Sequence, residues 1–271
     1  MKLSISNIAW DNSENKEVYK LLFKYGFSAI EVAPTKIWDN LEIVKKEDVL
    51  NFKKFWNSKG IKLVAFQSLL YGKKEFNIFD LSMHDKILSY LEKVLWIGNI
   101  FEINAVVFGS PKNRLKGKLP YHIAEKLAFE FFLAFAELGK KYGIKIALEP
   151  NPKEYGADFL LNTDETLGFI KKINHPFLRL NLDTGILFIN KENIEKSIEI
   201  AFPYLVHFHI SEPYLNLVDE NSFIPHKKIA QQLKRLKYSG YYSIEMRALN
   251  NKNLENIEKA LSFVASIYGE K

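Results

Sequence analysis

Four side chains of metal-ligating type stand at the ends of short apolar runs: Ala-Leu-Glu149-Pro, Asn-Leu-Asp183-Thr-Gly, His207-Phe-His209-Ile and Ser-Ile-Glu245-Met-Arg247. Three carboxylates and one imidazole form an oxygen-rich donor set with a single nitrogen. That set suits Mn²⁺, Co²⁺, Mg²⁺ or Zn²⁺ and leaves coordination positions for the oxygens of a substrate. The chain contains no cysteine, so a thiolate site, a disulfide and a cysteine nucleophile are all excluded. The intervals are 34 (149 to 183), 26 (183 to 209) and 36 (209 to 245) residues. Each fits one strand-plus-helix unit of an eight-fold barrel of about 250 residues, in which the C-terminal strand ends share one face. Glu149, Asp183, His209 and Glu245 are therefore expected to converge on one divalent ion.

Elements able to deliver them can be read along the whole chain. Apolar runs rich in Ile, Val, Leu and Phe alternate with longer amphipathic stretches, the rhythm of a parallel sheet with covering helices. Strands are predicted at 3–8, 28–33, 61–67, 104–109, 145–149, 178–183, 205–210 and 241–245. Helices are predicted at 15–25, 47–59, 82–101, 119–142, 163–173, 190–202, 225–237 and 252–268. Gly26, Gly60 and Gly143 follow basic residues and read as helix stops, while Asn162-Thr163-Asp164-Glu165 supplies a polar helix start. Eight such units, with no Gly-x-Gly-x-x-Gly turn after the first strand, predict an α/β fold, a single (β/α)8 TIM barrel occupying residues 1–271 as one domain.

The connections are uneven. Segments 67–81, 110–118, 150–162 and 211–224 are long and all follow strands, so they should form a rim around the four ligands and cover a bound substrate. Trp10, Phe66 and Gln67 at strand ends could supply ring faces and an amide to a polyhydroxylated ligand. Lys112 and Arg114 put two cations on the fourth-strand loop, and Arg247 adds one beyond the eighth strand, each able to meet an anionic group. Glu212 is a further rim candidate, and Glu31 could orient a ligand from behind. His207 shares a strand face with His209 and is expected one layer deeper, as core; His226 is a weak candidate for the pocket.

Composition narrows the class. A formal net charge of +6 is spread over Lys-rich helical faces rather than gathered in one block, which argues for a solvated surface and against a nucleic-acid groove. The N-terminal residues lack a signal peptide's apolar run, and no stretch is long enough to span a bilayer, so a cytoplasmic protein without a membrane partner is expected.

With these residues in place, the chain resembles the xylose-isomerase-like barrel superfamily of sugar isomerases and epimerases. Related members include endonuclease IV-type nucleases and dehydratases. The resemblance runs from Ser4-Ile5-Ser6-Asn7 through Ile30-Glu31-Val32 to Ile244-Glu245. It implies that Glu149, Asp183, His209 and Glu245 hold one divalent metal. By its likeness to keto-sugar 3-epimerases, it also implies that Glu149 and Glu245 are the catalytic acid/base pair on opposite faces of the reacting carbon. The implied function is a divalent-metal-dependent isomerase or epimerase of a small-molecule carbohydrate, phosphorylated or not, working through a metal-bound enediolate. A lyase or dehydratase on the same chemistry is the alternative. Two departures stand out: Ile186 stands three residues after the strand-six Asp183, where many relatives carry a His, and no Arg follows His209 within the next six residues. The missing His argues against a multinuclear nuclease site, the missing Arg leaves the sugar undefined, and a homo-oligomeric state stays open.

Overall fold

The computed structural model describes residues 2–249 and 252–269. Eight strands close into a barrel in sequence order, every neighbouring pair parallel. They are β1 Lys2–Ser6, β2 Ala29–Val32, β3 Lys62–Phe66, β4 Ala105–Phe108, β5 Lys145–Leu148, β6 Leu178–Asp183, β7 Leu205–Ser211 and β8 Tyr241–Glu245. Ten α-helices occur among the described residues: α1 Asn15–Lys24, α2 Pro34–Ile37, α3 Lys46–Asn57, α4 His84–Phe101, α5 Tyr121–Tyr142, α6 Thr163–Ile173, α7 Thr184–Ile189, α8 Ile194–Ala201, α9 His226–Arg235 and α10 Asn253–Tyr268. The eight-unit (β/α)8 barrel predicted from the pattern is thus present. The short helices α2 and α7 are additions that periodicity could not reveal, since neither is long enough to show a repeat. No helix among the described residues is long and apolar enough to cross a membrane.

Strand alternation sorts the side chains into two environments. One set, including Ile5, Ile30, Val106, Phe108, Leu148, Leu180, Phe208 and Ile244, faces the helices and joins the main core. There Phe108 packs edge-on against Phe132, with ring centroids 5.1 Å apart, and meets Phe131 and Phe135 of α5. Each such fully buried ring contributes on the order of 1.5–3 kcal/mol of transfer free energy. The other set points into the barrel, where only a small apolar cluster of Ala105, Val107 and Ala147 forms, with Val206 packed against it. Much of the remaining interior is polar: Ser4, Ser6, Glu31, Asn181, His207, His209, Ser211 and Ser243 are all buried. A stable barrel does not need this polarity, and its interior carries the site.

Helix boundaries follow the local chemistry. Asn162 caps α6 by accepting from the Glu165 amide at 2.9 Å, and the Glu165 carboxylate accepts in return from the Leu161 amide. Gly143, at φ +72°, ends α5 in the left-handed region that its missing Cβ permits.

Candidate metal centre

Glu149 directly follows β5, Asp183 and Glu245 end β6 and β8, and His209 lies inside β7 two residues before its end. Parallel pairing opposes Asp183 to His209 and Ser211 to Glu245, so the register of β6, β7 and β8 stacks the ligands at one barrel mouth. One donor atom from each of the four lies within 4.8 Å of the others. The His209 Nδ1 stands 3.1 Å from Glu149 Oε1, 3.2 Å from Glu245 Oε2 and 3.9 Å from Asp183 Oδ2.

Surrounding groups aim these donors. Asp183 Oδ1 accepts from the Ser211 hydroxyl and from the Ile186 amide, both at 2.7 Å, which caps α7 and fixes the carboxylate plane. Its other oxygen, Oδ2, is buried with no hydrogen-bond partner. Asn181 Nδ2 donates to Glu149 Oε1 at 2.6 Å, and Asn151 Nδ2 approaches Glu149 Oε2 at 3.3 Å. At Gly109 a Cβ would sit 2.6 Å from Glu149 Oε2, so any larger residue there would push that carboxylate aside. On the far side of the imidazole, His209 Nε2 lies 3.1 Å from each oxygen of Glu31, which also accepts from Ser243 Oγ at 2.9 Å. A carboxylate behind a histidine fixes its ring and tautomer and leaves the opposite nitrogen to a metal.

The electrostatics of the cluster favour a bound cation. Burial, reinforced by Glu245 and Glu149, raises Asp183 well above the usual carboxylate range; burial likewise raises Glu245, although His209 partly offsets this. Burial would lower His209, but Glu31, Glu245 and Glu149 together raise it well above an ordinary histidine. Burial pushes Glu31 up, yet His209 and His207 outweigh it and hold that carboxylate far below its usual range. Three converging carboxylates, one with an orphaned oxygen, are the arrangement that a bound divalent cation would satisfy. The residues present therefore fit a metal held by Glu149, Asp183, His209 and Glu245.

The pocket over these ligands has a volume of about 420 Å³, and Glu149, His209 and Glu245 line it together with Gln67 and Lys112. Gln67 is fixed by donating to Ser6 Oγ at 2.6 Å. Other expected contacts are placed elsewhere. Trp10 is fully buried with its indole donating to Asn15 and its ring edge-on to Trp56, and Phe66 packs on Phe101. An irregularity in the β2–β3 register at Ile30/Glu31 accompanies the outward turn of Phe66, a shift that counting by twos does not foresee. Arg114 is wholly buried and outside the pocket lining, and its Nη2 donates to the Glu149 carbonyl at 2.7 Å; burial lowers its pKa to about 10. Glu212 accepts from Ser222 and pairs with His226 at 3.1 Å, anchoring the 211–224 segment, and His226 is buried against Tyr268. Arg247 is exposed and outside the pocket lining, its amide donating to the Leu215 carbonyl. His207 lies below, 3.1 Å from Glu31. Sequence reasoning passed over Asn181, Asn151 and Ser211. Asn181 and Ser211 stand two residues from a ligand on the same strand, so the alternation that placed His207 could have found them.

Comparison with known proteins places the fold. No protein of curated function matches the sequence. Among solved structures, a D-psicose 3-epimerase determined in the presence of D-fructose superposes with a TM-score of 0.82 at 20% identity, covering 100% of both chains. The IOLI protein with a binding zinc atom gives 0.76 at 18% identity, covering 99% of this chain and 98% of its own. A probable 3-DHS dehydratase from Bacillus anthracis gives 0.75 at 17%, covering 98% and 99%. At these identities the superpositions speak for the fold. The family model described as xylose isomerase-like TIM barrel matches residues 19–267, nearly the full length, and the chain belongs to that family.

Proposed function

We propose that this chain is an enzyme, a divalent-metal-dependent isomerase or epimerase of a sugar or sugar derivative, with residues 1–271 acting as one catalytic domain. The observation that carries the reading is the pair Glu149 and Glu245. Both line the pocket, both have an oxygen within 3.1–3.2 Å of the same imidazole nitrogen, and they come from strands well separated around the barrel. The proposed relatives of this arrangement are those described as 3-epimerases, and the zinc found in the IOLI structure supports a metal in the corresponding fold.

A divalent ion held by Glu149, Asp183, His209 and Glu245 would supply Lewis-acid polarisation to the carbonyl of an α-hydroxycarbonyl substrate. One glutamate carboxylate removes the proton from the carbon beside that carbonyl. The other, on the opposite face, returns a proton to the same or the adjacent carbon. Asp183, fixed by Ser211 and the α7 amide, and His209, fixed by Glu31, serve to hold the ion. Gln67, pinned by Ser6, offers an amide to substrate hydroxyls. A dehydratase would begin with the same proton removal and then expel a hydroxyl, and a dehydratase-described relative keeps that second reading in view. Treating the protein with a chelator and restoring Mn²⁺, Co²⁺, Mg²⁺ or Zn²⁺ over a panel of ketoses tests the proposal. Activity should vanish and return, and conversion that persists at full rate in the chelated protein would contradict it.

A further inference from the structure

Besides Glu149 and Glu245, the pocket is lined by three lysines, Lys73, Lys74 and Lys112. Among the described residues none of them forms a salt bridge, and the neighbouring Glu75 does not pair with them. They sit on two different loops that are bonded into one frame. Asn113 Nδ2 donates to the Lys73 and Phe76 carbonyls at 2.7 and 2.8 Å, and the Ile78 amide donates to the Asn113 carbonyl at 2.9 Å. Lys73 is half-buried, with its ammonium 5.0 Å from the Tyr90 ring centroid and 5.9 Å from that of Phe76, while Lys74 and Lys112 are exposed. Two non-glycine residues of the same lining, Ser68 at φ +53° and Ser110 at φ +42°, are held in the left-handed region, a cost that a built ligand frame can carry. The pocket therefore gathers acidic side chains from the ends of β5 and β8 and lysines from the loops after β3 and β4.

We infer that the substrate carries a terminal phosphate held by Lys73, Lys74 and Lys112, so that the enzyme acts on a ketose phosphate. This rests on the isomerase/epimerase reading above. A neutral sugar offers no counter-charge to these lysines, none of which has a carboxylate partner among the described residues, whereas a phosphomonoester brings about −1.5 to −2 charges and several acceptor oxygens. The hydroxycarbonyl end would lie at Glu149 and Glu245 and the phosphate at the lysine-bearing loops after β3 and β4.

The test has two arms. In the first, binding of inorganic phosphate to the Mn²⁺-loaded protein is followed by calorimetry for the wild type and for the Lys74→Gln/Lys112→Gln double variant. Saturable binding that weakens at least tenfold in the variant is expected. Absence of binding, or equal binding by the variant as would occur if phosphate sat on the ion, overturns the inference whether or not the enzyme isomerises sugars. In the second, kcat/KM is compared for free ketoses and their terminal phosphates. A preference for the phosphate of about a hundredfold is expected, falling roughly tenfold per lysine replaced and residing in KM rather than kcat. Equal use of free and phosphorylated ketoses overturns the inference while leaving the isomerase reading intact. Turnover of neither class, with phosphate still bound by the lysines, would instead overturn the isomerase reading alone.

Discussion

Replacing Glu31 by Gln should weaken divalent-metal binding without removing any of the four ligands. Glu31 is fully buried, its two oxygens each lie 3.1 Å from His209 Nε2, and it takes a 2.9 Å hydrogen bond from Ser243. The amide of Gln keeps the shape and one acceptor oxygen. It loses the negative charge that makes the imidazole a better donor, and its NH₂ can face Nε2 in place of an acceptor. Losses of this kind behind a metal-bound histidine run to about 10–100-fold in affinity, or about 1.4–2.7 kcal/mol. Ser243→Ala removes only one neutral donor to Glu31, and its effect should stay near 0.5–1.5 kcal/mol or below. Competition of each variant against a chromophoric chelator for Mn²⁺ or Zn²⁺, at fixed pH and with folding checked by circular dichroism, gives the affinities directly. An unchanged affinity in folded Glu31→Gln, or a larger loss in Ser243→Ala than in Glu31→Gln, would refute the role given to the carboxylate behind His209.

Further outcomes follow from the same geometry. Asp183→Asn and His209→Ala should lose bound metal by elemental analysis, and full metal content in both would displace the site. Glu149→Gln and Glu245→Gln should retain much of the metal while kcat falls by about 10²–10⁴-fold, and a loss confined to KM would speak against proton transfer by either. In the metal-free protein Asp183, Glu245 and His209 all bind protons more tightly folded than unfolded, so stability should decline as pH rises above the ordinary carboxylate range and on through that of histidine. Saturating metal should reduce that decline, and metal-free denaturation midpoints that increase with pH between about 5 and 8 would contradict the assigned directions. Metal binding at neutral pH should also release protons, measurable by calorimetry in buffers of different ionisation enthalpy, because the ion replaces protons on His209 and the carboxylates.

The barrel was legible because its signals are local and repeated. Every predicted strand coincides with an observed one to within about two residues, and Gly143 and Asn162 mark helix ends by backbone and capping chemistry that a sequence displays. The four convergent side chains were legible for a related reason: strand ends of a parallel barrel share one face, so their order along the chain is also their order around the mouth. Less was visible wherever a side chain's direction depends on register. Phe66 was expected at the rim and turns to the helices beside a strand irregularity, and Trp10 leaves β1 through a 3-10 turn, Asn7–Ala9, that buries it. Arg114 illustrates another limit, since nothing in its neighbours announces that a guanidinium will be buried on a main-chain carbonyl of a ligand residue. Lys73 and Lys74 were passed over because they look like ordinary solvated lysines until the bonds from Asn113 bring their loop against that of Lys112.

The central claim is that Glu149 and Glu245 move a proton on and off one carbon of a sugar bound over the metal site. It is tested most directly by running the metal-loaded enzyme in D₂O with an accepted ketose or ketose phosphate and reading the product by NMR. One solvent deuteron should appear at the inverted or newly protonated carbon, with incorporation suppressed in Glu149→Gln and Glu245→Gln. Product formed at full rate without deuterium, with the substrate's own hydrogen carried to the neighbouring carbon, would show hydride transfer and contradict the account.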